Sequence, residues 1–169
     1  MKLFDFSRKE AFEHWRAIDD RVMGGVSKSE LVSNELQDNA GAIFRGELSL
    51  DNNGGFCSVR ATLPQAIKPG FEHLWIRCKN SAHSGQKTYY LNVRTDVAFD
   101  GVSYRTSFLP TQTSTTFEFT TIEFSPVFRG RAVADAPLLQ LSDVRQIGLM
   151  IADSQIGTFE LFISSIGVS

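Results

Sequence analysis

The sequence predicts an all-β fold, an antiparallel sandwich or barrel, preceded by one short helix. Three observations point there. Short runs of alternating apolar and polar residues recur along the chain, turn signals separate them, and almost no stretch carries a helical period. The 14 Phe residues agree, because aromatic side chains suit half-buried pleated surfaces.

The first element is the helix. Ser7 and Glu10 have the spacing of a capping box, and Ala11, Phe12, Trp15 and Ile18 give a short apolar stripe ending near Asp19. Strands follow. Residues 42–50 alternate, with Phe44, Leu48 and Leu50 on one face and Arg45, Glu47 and Ser49 on the other. Asn53-Gly54 is a hairpin signal, since both central residues of the favoured turn need positive φ. Residues 56–63 return, with Cys57, Val59, Ala61 and Leu63 opposed to Ser58, Arg60 and Thr62. The pattern continues over 74–78, 88–95, 102–108, 116–124, 146–152 and 158–166. Residues 125–142 carry Pro126, Gly130 and Pro137 and read as a long crossover loop, which fits Greek-key or jelly-roll topology.

Length and composition bound the rest. At 169 residues, with no linker or repeat, the chain reads as one domain over 1–169. A net charge of −2 supplies no global field for nucleic acid or an anionic membrane. The N-terminus lacks an apolar signal region, and no apolar run reaches the ~18 residues of a membrane span, so a cytoplasmic protein without membrane insertion is expected. Cys57 and Cys78 fit neither a zinc site nor a redox pair and read as buried thiols. Arg outnumbers Lys 11 to 6, which favours fixed, planar hydrogen bonding over simple surface solvation.

No nucleophile elbow, dinucleotide fingerprint, Walker loop or zincin motif is present, and His14, His73 and His83 lack ligand spacing. No catalytic residue, metal or cofactor is therefore expected. Asp51-Asn52-Asn53-Gly54-Gly55 lacks the spacing and terminal Glu of a calcium loop. Two constellations remain. Asp19-Asp20-Arg21-Val22-Met23-Gly24-Gly25 reads either as a loop held against a ligand by Asp20 and Arg21 or as a structural turn, with Gly24 and Gly25 leading into a strand and Asp20 bonding the backbone of that loop; an ion pair from Asp20 to an arginine, pinning the loop, is the further contact expected. Arg60, Arg77, Asn92, Arg94 and Arg105, with Trp75 and Tyr90, form one polar face if their strands are neighbours. Such a face suits an acidic group, an acidic protein or a carbohydrate. Arg129 and Arg131 flank Gly130 in a loop suited to an anion.

An ordered series of segments resembles the complex I intermediate-associated protein 30 family. It runs from Trp15 and Asp19 to Ser27, through Phe44-Arg45-Gly46 with Leu48, to Asn53-Gly54-Gly55-Phe56 and Ser58-Val59-Arg60. It continues with Tyr90-Leu91-Asn92-Val93-Arg94-Thr95, Phe128-Arg129-Gly130-Arg131, Ile147 to Asp153, and Gly157 with Phe159-Glu160-Leu161. The segment from Lys79 to Lys87 departs, being longer than the short turn expected there. The resemblance implies a jelly-roll β-sandwich of the galactose-binding-domain-like type. It also implies chaperone-like binding of respiratory-complex subunits or intermediates during assembly of NADH:ubiquinone oxidoreductase. Without a transit peptide, the chain reads as a stand-alone member.

The expected function is a non-catalytic domain that binds a protein partner through Asp20, Arg21, Arg60, Asn92, Arg94 and Arg129. Gly24, Gly25, Gly54 and Gly55 shape its loops. The alternatives are lectin-like binding of a carbohydrate or other small ligand, with Trp75 or Tyr90 as platform, and an enzyme using Asp19, Asp20 or Asp153.

Overall fold

The computed structural model describes residues 1–34 and 40–169. It is a jelly-roll sandwich of two antiparallel sheets. Thirteen strands form it: β1 (Lys2–Asp5), β2 (Trp15–Ala17), β3 (Lys28–Asn34), β4 (Gly41–Leu48), β5 (Cys57–Thr62), β6 (His73–Asn80), β7 (Tyr89–Arg94), β8 (Ser103–Phe108), β9 (Thr115–Thr120), β10 (Ser125–Phe128), β11 (Arg131–Ala132), β12 (Gln146–Ile151) and β13 (Gly157–Val168). A six-stranded sheet runs β3-β4-β13-β6-β9, with β1 also on β13. A seven-stranded sheet runs β11-β10-β8-β7-β12-β5-β2. Among the described residues, no helix is long and apolar enough to cross a membrane.

The two-residue period sorts side chains between core and surface. Ala42, Phe44 and Leu48 of β4 and Phe159, Leu161 and Ile163 of β13 are buried from one side. Leu91, Val93, Ile147, Leu149 and Val59 meet them from the other. Phe44 joins the sheets, lying 5.0 Å from Phe159 and 6.2 Å from Tyr89, both edge-on. Each such fully buried side chain contributes roughly 1.5–3 kcal/mol by leaving water.

Four local expectations change. The helix is a single 3₁₀ turn, Lys9–Phe12, and no capping box forms; Ser7 Oγ donates instead to Asp5 Oδ1 at 2.7 Å. Trp15 continues as strand β2 against β5, its ring 5.1 Å from Phe4, because pairing the open edge of β5 outweighs a marginal short helix. Asn53-Gly54 is not a hairpin turn, because β4 and β5 lie in different sheets. Positive φ falls on Asn52 (55°) and Asn53 (59°), while Gly54 is at −68°. The chain leaves its sheet at Leu48, so Leu50 is exposed. Finally, the crossover over 125–142 contains β10 and β11, which extend the seven-stranded sheet beyond β8.

Candidate functional site

The site lies on the outer face of the seven-stranded sheet. Register places Arg16 opposite Arg60, Arg60 opposite Gly148, Gly148 opposite Asn92, and Asn92 opposite Arg105. These side chains alternate with core residues on their own strands, so they share one row on the outside. Gln146 opposite Arg94 and Met150 opposite Tyr90 form the flanking rows. Gly148 leaves a gap between Arg60 and Asn92, and a Cβ there would come within 2.8 Å of the Val59 carbonyl oxygen.

Residues 96–101 fold back over this face. Gln146 Nε2 donates to the carbonyls of Asp96 (2.9 Å) and Ala98 (2.8 Å). Arg60 Nη1 donates to the Phe99 carbonyl at 2.7 Å, and its guanidinium lies 5.7 Å from the Phe99 ring centre. Arg129 Nη2 donates to Asp100 Oδ2 at 2.8 Å. On the same face is a cavity of about 60 Å³, walled by Arg60, Asn92, Arg94, Gln146, Gly148 and Met150. That volume holds a few water-sized groups and is too small to enclose a sugar ring.

The charge here is poorly matched. Arg94 is only 4% exposed, and its Nε and Nη2 have no hydrogen-bond acceptor among the described residues. The Asp96 carboxylate stands 3.7 Å from Nη2, outside hydrogen-bond length. Burial, then the nearby charges of Arg94 and Arg16, pulls the Arg60 pKa down to about 10. Arg105 sits 4.4 Å over the ring of Tyr90, whose hydroxyl donates to Asp153 Oδ2. That hydrogen bond, with burial, raises the Tyr90 pKa.

Beside the cavity, Arg16, Arg21, Lys28 and Phe99 line a groove of about 480 Å³ over Ala17 and Ile18. Phe99 borders this groove and bonds Arg60, so the two depressions adjoin.

Of the six expected binding residues, Arg60, Asn92 and Arg94 meet in the cavity. Arg21 lines the groove, and Arg129 clamps the loop from the far edge. Asp20 is elsewhere in role. It is 1% exposed and accepts from Ser27 N (2.9 Å), Ser27 Oγ and Gly55 N (2.7 Å), so the expected ion pair with an arginine is replaced by hydrogen bonds to the loop itself. Asp19 likewise accepts from Ser29 N (2.9 Å) and Ser58 N (3.0 Å), tying β3 of one sheet to β5 of the other. The glycines are explained by this carboxylate. A Cβ on Gly25 would lie 2.4 Å from Asp20 Cγ, and one on Gly54 would lie 2.4 Å from Asp20 Oδ2. Gly24 closes a second 3₁₀ turn, Asp20–Met23, at φ 86°, and Gly55 supplies the N–H.

Trp75 and Arg77 leave the expected face, because β6 belongs to the six-stranded sheet. Sequence reasoning missed Arg16, Gln146 and the loop carrying Phe99. Gln146 held a signal: a polar residue out of phase with Ile147, Leu149 and Ile151 that is nonetheless 1% exposed must be covered by something on the outer face.

The architecture defines the protein as a jelly-roll β-sandwich. It is similar to the family 11 carbohydrate-binding module from Clostridium thermocellum, solved with a beta-1,3-1,4-mixed-linked tetrasaccharide (TM-score 0.72, 16% identity, 99% of this chain and 94% of that chain covered). It is also similar to part of an exo-beta-agarase (TM-score 0.61, 11% identity, 99% of this chain and 25% of that one). At these identities the likeness is one of fold. The sequence is more specific: residues 4–163 match the model of the Complex I intermediate-associated protein 30 family, and the chain belongs to that family. An uncharacterized protein of Schizosaccharomyces pombe is 30% identical over 168 residues, covering 91% of this chain and 77% of that protein.

Proposed function

We propose that this protein is a non-catalytic binding domain that engages an acidic protein partner through the outer face of the seven-stranded sheet, and that the partner is an intermediate of respiratory complex I. One observation carries the reading. Arg16, Arg60, Arg94 and Arg105 gather on one sheet face of a chain whose net charge is −2. Such local concentration gives orientation and specificity toward an acidic surface. Phe99, 54% exposed at the tip of the loop, supplies an apolar anchor among the arginines. Family membership supports complex I intermediates as the partner class. Of the three candidates for acid–base work, Asp19 and Asp20 are occupied by backbone and serine donors, and Asp153 accepts from the Tyr90 hydroxyl.

A second reading, carbohydrate binding, draws on the likeness to the module solved with a tetrasaccharide. Against it, the rings on this face already have guanidinium groups beside them, Arg105 on Tyr90 and Arg60 on Phe99, which leaves less open stacking surface.

The test is affinity purification of the tagged protein from its native cells, with and without the Arg60→Ala/Arg105→Ala pair. Complex I subunits should co-purify with the parent protein and be lost with the folded variant. Equal recovery with both proteins contradicts the assignment of the face, and glycan-array binding without subunit recovery favours the second reading.

A further inference from the structure

We propose that Arg94 is a receptor for a single carboxylate, so that the partner inferred above docks an Asp or Glu side chain at the cavity that Arg94 lines with Arg60 and Asn92. This rests on the partner reading and deepens it.

The two Arg94 atoms without an acceptor are Nε and Nη2. They form the side-on edge of the guanidinium, two parallel N–H donors spaced to meet both oxygens of one carboxylate. An arginine buried to 4% exposure normally finds such a partner, because an unmatched buried charge is strongly unfavourable. Here the acid at hand is Asp96, at 3.7 Å and with a side chain 52% exposed. Its Oδ1 already accepts the Ala98 N–H at 3.0 Å. Asp96 therefore stands at the fork without making its hydrogen bonds, and Gly101 packs against Nη2, where a Cβ would come within 2.9 Å, so a guest carboxylate takes the place of Asp96 as residues 96–101 shift outward.

The remaining walls fit the same guest. Arg60 adds a second positive charge, and Asn92 adds an amide able to donate. A cavity of about 60 Å³ admits a carboxylate head and excludes anything much larger. Gly148 leaves the floor open between Arg60 and Asn92.

The experiment is an NMR titration of the protein at constant ionic strength, following the Arg94 Nε–H signal. The probes are acetyl-Gly-Glu-Gly-amide, its Gln counterpart and inorganic phosphate. The Glu peptide should move the signal, and the Gln peptide should bind at least about tenfold more weakly. Asp96→Ala, which removes the internal competitor, should tighten the Glu peptide several-fold. Arg94→Met, which removes the Nε–H itself, should abolish the peptide response of the backbone amides of Ala98 and Gly101, followed in both proteins, while leaving the melting temperature in chloride buffer unchanged or raised, since an unpaired buried charge is replaced by an apolar chain of similar length.

A stationary Nε–H signal, or an Asp96→Ala protein that melts lower with no gain in peptide affinity, overturns the proposal. A response to phosphate alone overturns the commitment to a carboxylate. The two readings fail separately. Complex I subunits retained by Arg94→Met defeat the slot and spare the face, whereas Glu-peptide binding without subunit recovery defeats the partner and spares the slot.

Discussion

At Asp20, one carboxylate meets the Ser27 N–H, the Ser27 hydroxyl and the Gly55 N–H, donors drawn from 7 and 35 residues away in sequence. The acid-Arg-Gly-Gly string was legible as unusual, but its partners were not, because only the folded chain brings Gly54 and Gly55 to Asp20. The turn pattern offered both the backbone of the loop and an arginine as partners; the buried carboxylate takes backbone donors, the Ser27 N–H of its own loop and the distant Gly55 N–H, and not an arginine, since a buried N–H without an acceptor is costly. Asp20→Ala orphans those donors and should destabilise the protein by about 3 kcal/mol in urea denaturation, with Asp20→Asn losing less. A loss below about 1 kcal/mol for the alanine variant would show that the loop rests on other contacts.

Among the elements, β5, β7 and β12 were readable because their two-residue period is strict: Arg60, Asn92 and Arg94 point to the outer face of the sheet, away from Val59, Leu91 and Val93. Membership of a sheet was not readable. Alternation on β6 matches that on β7, yet β6 pairs with β13 and β9 and carries Trp75 and Arg77 to the other sheet. The loop over the site was also hidden, since hydrogen bonds from Gln146, Arg60 and Arg129, none of them local, place it. The last of these has a pH signature. The hydrogen bond from Arg129 holds the Asp100 pKa below its ordinary 3.8. A carboxylate whose pKa is lowered by folding stabilises the folded loop above that ordinary value, and the contribution fades as pH falls through the lowered one. Heteronuclear NOE values at Phe99 and Gly101 should therefore hold from neutral pH down to about pH 4 and drop below it. In Arg129→Gln they should be lower throughout and flat across that window. Parallel profiles in the two proteins would remove the clamp from the account.

Over the whole molecule, one core joins two sheets whose outer faces differ. On the six-stranded sheet Arg45 is paired with Glu30 at 2.8 Å. The seven-stranded sheet gathers Arg16, Arg60, Arg94 and Arg105 with few acids, and the exposed Phe99 and Val97 stand at its covering loop. The jelly roll supplies a rigid frame common to many binding proteins, so the chemistry of the face, not the fold, carries the functional assignment. The direct measurement is photo-crosslinking in native cells from two exposed positions, Ser107 on β8 of the arginine-bearing sheet and Arg77 on β6 of the other. Adducts with complex I subunits are expected from position 107 and not from position 77. Adducts from position 77 alone would contradict binding through the arginine-bearing face.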